Sequence, residues 1–148
     1  GGRQAGVIVG RSDFVEACGA HPLARALRAG GLVMAALQDV ALAYLERDGQ
    51  SIPFWRMATI PVADLRARAE AINTDLAGDT VATPGGGTLP EVEIASAGLL
   101  VPGDHSAVLR AGDPPIITRV VEDTTVLDLR TVHPEDDQVV AEALDRLG

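Results

Sequence analysis

Lysine is absent from this 148-residue chain, and all twelve of its basic residues are arginine. No side-chain amine is therefore available within it for Schiff-base chemistry. Aromatic residues are nearly absent too, at 3%, so a core must be packed from Leu, Val, Ile and Ala. A single cysteine, Cys18, excludes an intramolecular disulfide and fits a reducing cytoplasm. No apolar run approaches the ~20 residues that span a bilayer, and the opening residues do not read as a basic-then-apolar leader. The expectation is a cytoplasmic chain with no membrane partner. Positive charge is also short: 21 acids against twelve arginines give a net charge of −9. A surface that grips nucleic acid shows as a basic patch or stripe, so this average argues against one and suits small anions captured locally. The histidines at 21, 105 and 133 lie far apart and lack metal-ligand spacing.

What is present is globular. Apolar residues make up 47%, in a chain long enough to bury about two thirds of its unfolded surface. Residues 5–10 (Ala-Gly-Val-Ile-Val-Gly) read as a buried strand of an α/β sheet. That strand has no neighbour to pair with, so we expect a sheet supplied by chain upstream. Ser12 offers an N-cap for a short helix to Cys18. Pro22 opens a long helical segment running through Glu46, with a kink or break at Gly30-Gly31. Residues 48–53 read as a loop. Pro61 starts a helix that Gly78 ends, with Asp64 and Arg68 as a four-apart ion pair. Beyond it, residues 81–83 and 92–101 read as strands, 104–111 as a short helix, and 116–121 with 125–129 as a hairpin. A last helix follows Pro134, with Glu135, Asp136 and Asp137 in its positive first turn. The fold class is α+β: a strand and long connecting helix, then a compact unit with a small antiparallel sheet covered by helices.

Among residues that could carry chemistry, Arg25 and Arg28 lead. Three apart, they share one face near the start of the expected helix, where the dipole and their mutual repulsion disfavour two cations. An anion between them offsets both costs, because guanidinium forks bind oxyanions bidentately. The alternative is a solvated pair, or ion pairs with Asp13 or Glu16. Gly85, Gly86 and Gly87 form a turn between strands, or cradle an anion with backbone N–H groups. Arg119 lies on an expected strand, and Arg130 is expected to pair with Asp128 or a neighbouring acid. His21 and His133 each precede a proline at a helix start, so capping is their expected role. Cys18 has no activating base nearby in sequence.

Three stretches carry a resemblance: Gly1-Gly2-Arg3-Gln4-Ala5-Gly6-Val7-Ile8-Val9-Gly10, then His21-Pro22-Leu23-Ala24-Arg25-Ala26-Leu27-Arg28, then Gly85-Gly86-Gly87-Thr88-Leu89-Pro90. In that order they resemble bacterial selenocysteine synthase, the pyridoxal-phosphate enzyme also called L-seryl-tRNA(Sec) selenium transferase. The resemblance implies a fold-type-I enzyme whose cofactor lysine immediately precedes the Gly-Gly-x-Gln-Ala-Gly segment. On that reading residues 1–20 are the tail of the large cofactor-binding domain, 21–47 a connecting helix, and 48–148 the C-terminal small domain. The two arginines of the second stretch would line the pocket for selenophosphate. Gly1, Gly2 and Gln4 would form part of the cofactor-pocket wall. Arg119 is a weaker candidate, because fold-type-I enzymes often use a small-domain arginine for a substrate carboxylate. Two positions depart from the family pattern: Arg3 stands where proline is usual, and Ala29-Gly30-Gly31 replaces Ala-Asp-Lys.

The implied parent converts seryl-tRNA(Sec) to selenocysteinyl-tRNA(Sec) in selenocysteine biosynthesis, as a homo-oligomer, with the tRNA gripped by other regions. A lysine-free chain would itself be inactive and would hold no covalent cofactor. Two rivals remain: a related pyridoxal-phosphate β-eliminating lyase acting on a small substrate, and a non-enzymatic binding or assembly module.

Overall fold

A computed structural model describes residues 5–85 and 92–147. Gly1, Gly2, Gln4, Gly86 and Gly87 lie outside the described residues. The chain divides into two compact units, Gly1–Ile52 and Pro53–Gly148.

The first unit is helical, with α1 (Ser12–Ala20), α2 (Pro22–Ala26) and α3 (Gly31–Glu46). Residues 5–10 are not a strand, contrary to their apolar pattern. Val7, Ile8 and Val9 are 70%, 67% and 85% exposed. A strand needs a neighbour's hydrogen-bond ladder, and no strand is described within this unit. Ser12 does not cap α1 either. Arg11 takes the N-cap position without a side-chain capping bond, which makes Ser12 the first helical residue.

The expected long helix breaks at its two glycines: α2 ends at Ala26, and α3 begins at Gly31 with Gly30 as N-cap. His21 caps α2, its Nδ1 accepting the Leu23 N–H at 3.2 Å, and Pro22 presets the first turn. Helix α3 is apolar on nearly every face, a pattern that belongs in an interior. Within the unit, only Ala43 of α3 is buried, while Leu32, Met34, Tyr44 and Leu45 are exposed. A short 3₁₀ turn, Gly49–Ser51, follows; the Asp48 carboxylate accepts the Gln50 and Ser51 N–H groups.

The second unit opens on a helix that the sequence pattern did not reveal, α4 (Pro53–Ala58). Helix α5 (Val62–Ile72) starts after Pro61 as expected but stops earlier. Asn73 ends it, its Oδ1 accepting the Asp75 and Leu76 N–H groups at 3.0 and 3.1 Å. Gly78 consequently falls inside strand β1 (Ala77–Ala82). With β2 (Ile94–Pro102), β3 (Arg119–Val121) and β4 (Thr124–Asp128) it forms an antiparallel sheet in the order β1-β2-β4-β3. The β3–β4 turn is Glu122-Asp123, with φ of 47° and 57°, the primed-turn geometry that matches strand twist. Helices α6 (Ser106–Arg110) and α7 (Asp137–Asp145) complete the unit. The fold class is α+β, as expected.

Strand periodicity places Ala97, Leu99, Val101 and Leu127 on one face of the sheet. They form a core with Leu65 and Ala69 of α5, Leu109 of α6, and Val140, Ala143 and Leu144 of α7. Leu65, Leu99 and Leu129 are fully buried, each contributing roughly 1.5–3 kcal/mol. Gly98 has a direct steric reason: a Cβ there would lie 2.0 Å from the Leu127 carbonyl oxygen.

Candidate anion-binding site

Arg25 and Arg28 do not share one helix face, because α2 is only five residues long. Arg25 falls in its last turn, where the dipole favours a cation, and Arg28 lies just past the C-cap, Leu27. The two still converge. Together with Ala29, Gly30, Gly31 and Met34 they line an open depression of about 800 Å³. Both are exposed, and among the described residues neither has an ion pair or a hydrogen bond. Asp13, one of their possible partners, is held by Arg11 at 2.7 Å, and the Arg11 guanidinium also sits 4.7 Å over the Phe14 ring. Gly30 caps α3 without a side chain, so the first N–H groups of that helix have no capping side chain. Two free guanidinium forks beside backbone without side chains suit an oxyanion.

Arg68, Arg130 and Arg119, by contrast, are committed to structure. Arg68 does not pair with Asp64. It reaches Asp137 of α7 at 2.6 Å and the Leu129 and Val132 carbonyls at 3.2 and 3.1 Å, a half-buried set that outcompetes an exposed four-apart contact. Arg130, 4% exposed, does not pair with an acid. Its Nη1 donates to the Met57, Ala58 and Ile60 carbonyls and its Nη2 to Ala95 O at 2.6 Å. Asp128 instead accepts the Arg130 backbone N–H and the Ser96 hydroxyl, the latter at 2.6 Å.

Arg119 belongs to the second unit. Its Nη2 donates to Thr80 Oγ1 at 2.8 Å and to the Val81 carbonyl, and it lies 3.6 Å from Asp128. Its Nε is buried without a partner. Gly85 has φ +105°, with nothing within 4 Å of a would-be Cβ. His133 accepts the Glu135 N–H at 3.5 Å as the cap of a 3₁₀ turn, His105 Nε2 meets the Pro102 carbonyl at 2.9 Å, and Cys18 is exposed. No metal-holding cluster occurs among the described residues, and no described helix is long and apolar enough to cross a membrane.

One carboxylate is electrostatically tuned. The Ser106 hydroxyl and backbone N–H, donating to Asp104 Oδ1 at 2.6 and 2.9 Å, hold its pKa below the usual carboxylate range, with help from His105 and against slight desolvation. A depressed folded pKa is stabilising above the unfolded value, and that stabilisation is lost as pH falls through the folded one. Ser106→Ala is expected to move the Asp104 titration upward in an NMR pH series. An unchanged midpoint would contradict the assigned cause.

Charge is divided between the units. Residues 1–52 hold five arginines and five carboxylates, so the net −9 rests on residues 53–148.

A family model for L-seryl-tRNA selenium transferase matches residues 1–133. The chain belongs to the L-seryl-tRNA selenium transferase family. It is 35% identical over 162 residues to the L-seryl-tRNA(Sec) selenium transferase of Aquifex aeolicus, a match covering 99% of this chain and 36% of that protein. The Moorella thermoacetica protein of the same name is 36% identical over 163 residues, covering 97% and 35%. That of Hyphomonas neptunium is 35% identical over 165 residues, covering 100% and 36%. The chain thus spans about a third of the length of the L-seryl-tRNA(Sec) selenium transferases it matches.

Proposed function

We propose that this chain supplies the donor-anion pocket of a selenium transferase that converts seryl-tRNA(Sec) to selenocysteinyl-tRNA(Sec), with Arg25 and Arg28 binding selenophosphate. The observation that supports this most is their convergence on one depression while both guanidiniums are unpaired. Each can offer two parallel N–H bonds to phosphoryl oxygens, orienting the anion without further reorganisation. On the same reading residues 1–20 end a large cofactor-binding domain, 21–47 connect, and 48–148 form a C-terminal small domain. The apolar surface of α3 would then be covered in the whole oligomeric protein. Because the negative charge lies on residues 53–148, the tRNA would be gripped elsewhere. Gly1, Gly2 and Gln4 would form part of the cofactor-pocket wall, and Arg119, Gly85, Gly86 and Gly87 are the weaker anion candidates.

Pyridoxal phosphate is the cofactor this reading implies. The residues of this chain do not fit its covalent attachment: no lysine is present, and the arginines of both units are guanidiniums that stay protonated. The 148-residue chain is therefore expected to show no cofactor–lysine absorbance band and no selenium transfer. Titration with pyridoxal phosphate, beside a longer form that includes the upstream region of the relatives, checks both. Turnover by the 148-residue chain alone would overturn its expected inactivity. The second reading, a β-eliminating lyase of small substrates, draws on Gly30-Gly31, which remove an acid and a base beside the pocket. Transfer of selenium to seryl-tRNA(Sec) by the longer form would exclude it.

A further inference from the structure

The charged residues of the depression's lining are Arg25 and Arg28. The rest of its lining is Ala29, Gly30, Gly31 and Met34. Of these, Met34 alone has a side chain of any length, and it stands 56% exposed in the first turn of α3. The lining therefore combines two guanidiniums with a soft, polarisable thioether.

A phosphate carrying selenium or sulfur in place of one oxygen has two matching parts. Its oxygens take guanidinium donors. Its chalcogen is large, polarisable and weakly hydrated. The arginines meet the same phosphoryl oxygens in such an ion and in orthophosphate, so they bind both and distinguish them poorly. A thioether on an unbranched stem adapts its shape and gains dispersion contact with the heavier atom, while offering no hydrogen-bond donor to an oxygen in its place. We infer that Met34 is the specificity-determining residue of this pocket, seating the chalcogen and selecting a chalcogen-substituted phosphate over orthophosphate. The inference rests on the reading of Arg25 and Arg28 as oxyanion ligands.

The test is calorimetric titration of the 148-residue chain with thiophosphate and with orthophosphate, at one ionic strength and at a pH where both are dianions. Thiophosphate is expected to bind roughly three- to tenfold tighter. Met34→Ser is expected to bring that ratio close to one while changing orthophosphate affinity little, and Met34→Leu to keep part of the preference through shape alone. Met34 is exposed, so neither change opens a cavity, and circular dichroism verifies the fold. Equal binding of the two anions by the unaltered chain, or an equal loss of both in Met34→Ser, would overturn the inference and leave the oxyanion reading intact. Absence of binding by either anion, or binding unaffected by Arg25→Ala with Arg28→Ala, would overturn both.

Discussion

Replacing Arg25 and Arg28 together by alanine is expected to weaken thiophosphate binding at least about a hundredfold, since each charge-assisted bond contributes about 1.5–3 kcal/mol. The same double replacement should leave the urea unfolding midpoint where it was. That combination separates a binding role from a structural one. Neither side chain has an ion pair or a hydrogen bond among the described residues, so nothing in the fold loses a partner when they go. Lysine at both positions is expected to recover only part of the affinity, because a point charge lacks the planar fork. A shifted midpoint, or affinity within a few-fold of the unaltered chain, would count against the pocket.

Arg130→Leu is expected to act in the opposite sense: little effect on anion binding and a loss of about 3–5 kcal/mol in unfolding free energy, from buried carbonyls left without donors at ~1–3 kcal/mol each. Its guanidinium gathers the Met57, Ala58 and Ile60 carbonyls, which close the end of α4, and the Ala95 carbonyl of β2. Leucine fills the volume and satisfies none of them. Replacing a buried ion with an apolar residue is sometimes neutral, but there the partners are replaced as well; here the carbonyls remain. Arg130→Lys should recover part of the loss, having three donors but no fork to span two strands of chain. Urea unfolding with an unchanged m-value measures this, and a loss below about 1 kcal/mol would show that water or relaxation satisfies the carbonyls.

The elements most legible in the sequence were those whose signals are local. Pro22, Gly30-Gly31, Pro61 and the two apolar runs around Glu122-Asp123 each encode a start, a break or a turn within a few residues. The elements that were missed depend on distant partners. Residues 5–10 carry a strand's apolar pattern, yet a strand is a property of a pair, and their pattern cannot supply the neighbour. Helix α4 is too short for periodicity to register between Pro53 and Pro61. The arginines show the same division. Sequence spacing pairs Arg68 with Asp64, four residues away, but Asp137 lies 69 positions on, and Arg68 also meets two carbonyls there. The sequence suggests an acid for Arg130 because charge is visible in a sequence and a carbonyl is not. Arg25 and Arg28 were legible as a pair. The short non-helical segment that joins them to Met34 follows from where α2 ends, which their spacing alone does not show.

The most direct measurement is a titration of the ¹⁵N-labelled 148-residue chain with thiophosphate, followed at the arginine Nε–H signals. Saturable movement of the Arg25 and Arg28 signals, with those of Arg119 and Arg130 unmoved, is the predicted result. Still signals at Arg25 and Arg28, or equal and non-saturating drift at every arginine, would contradict the account.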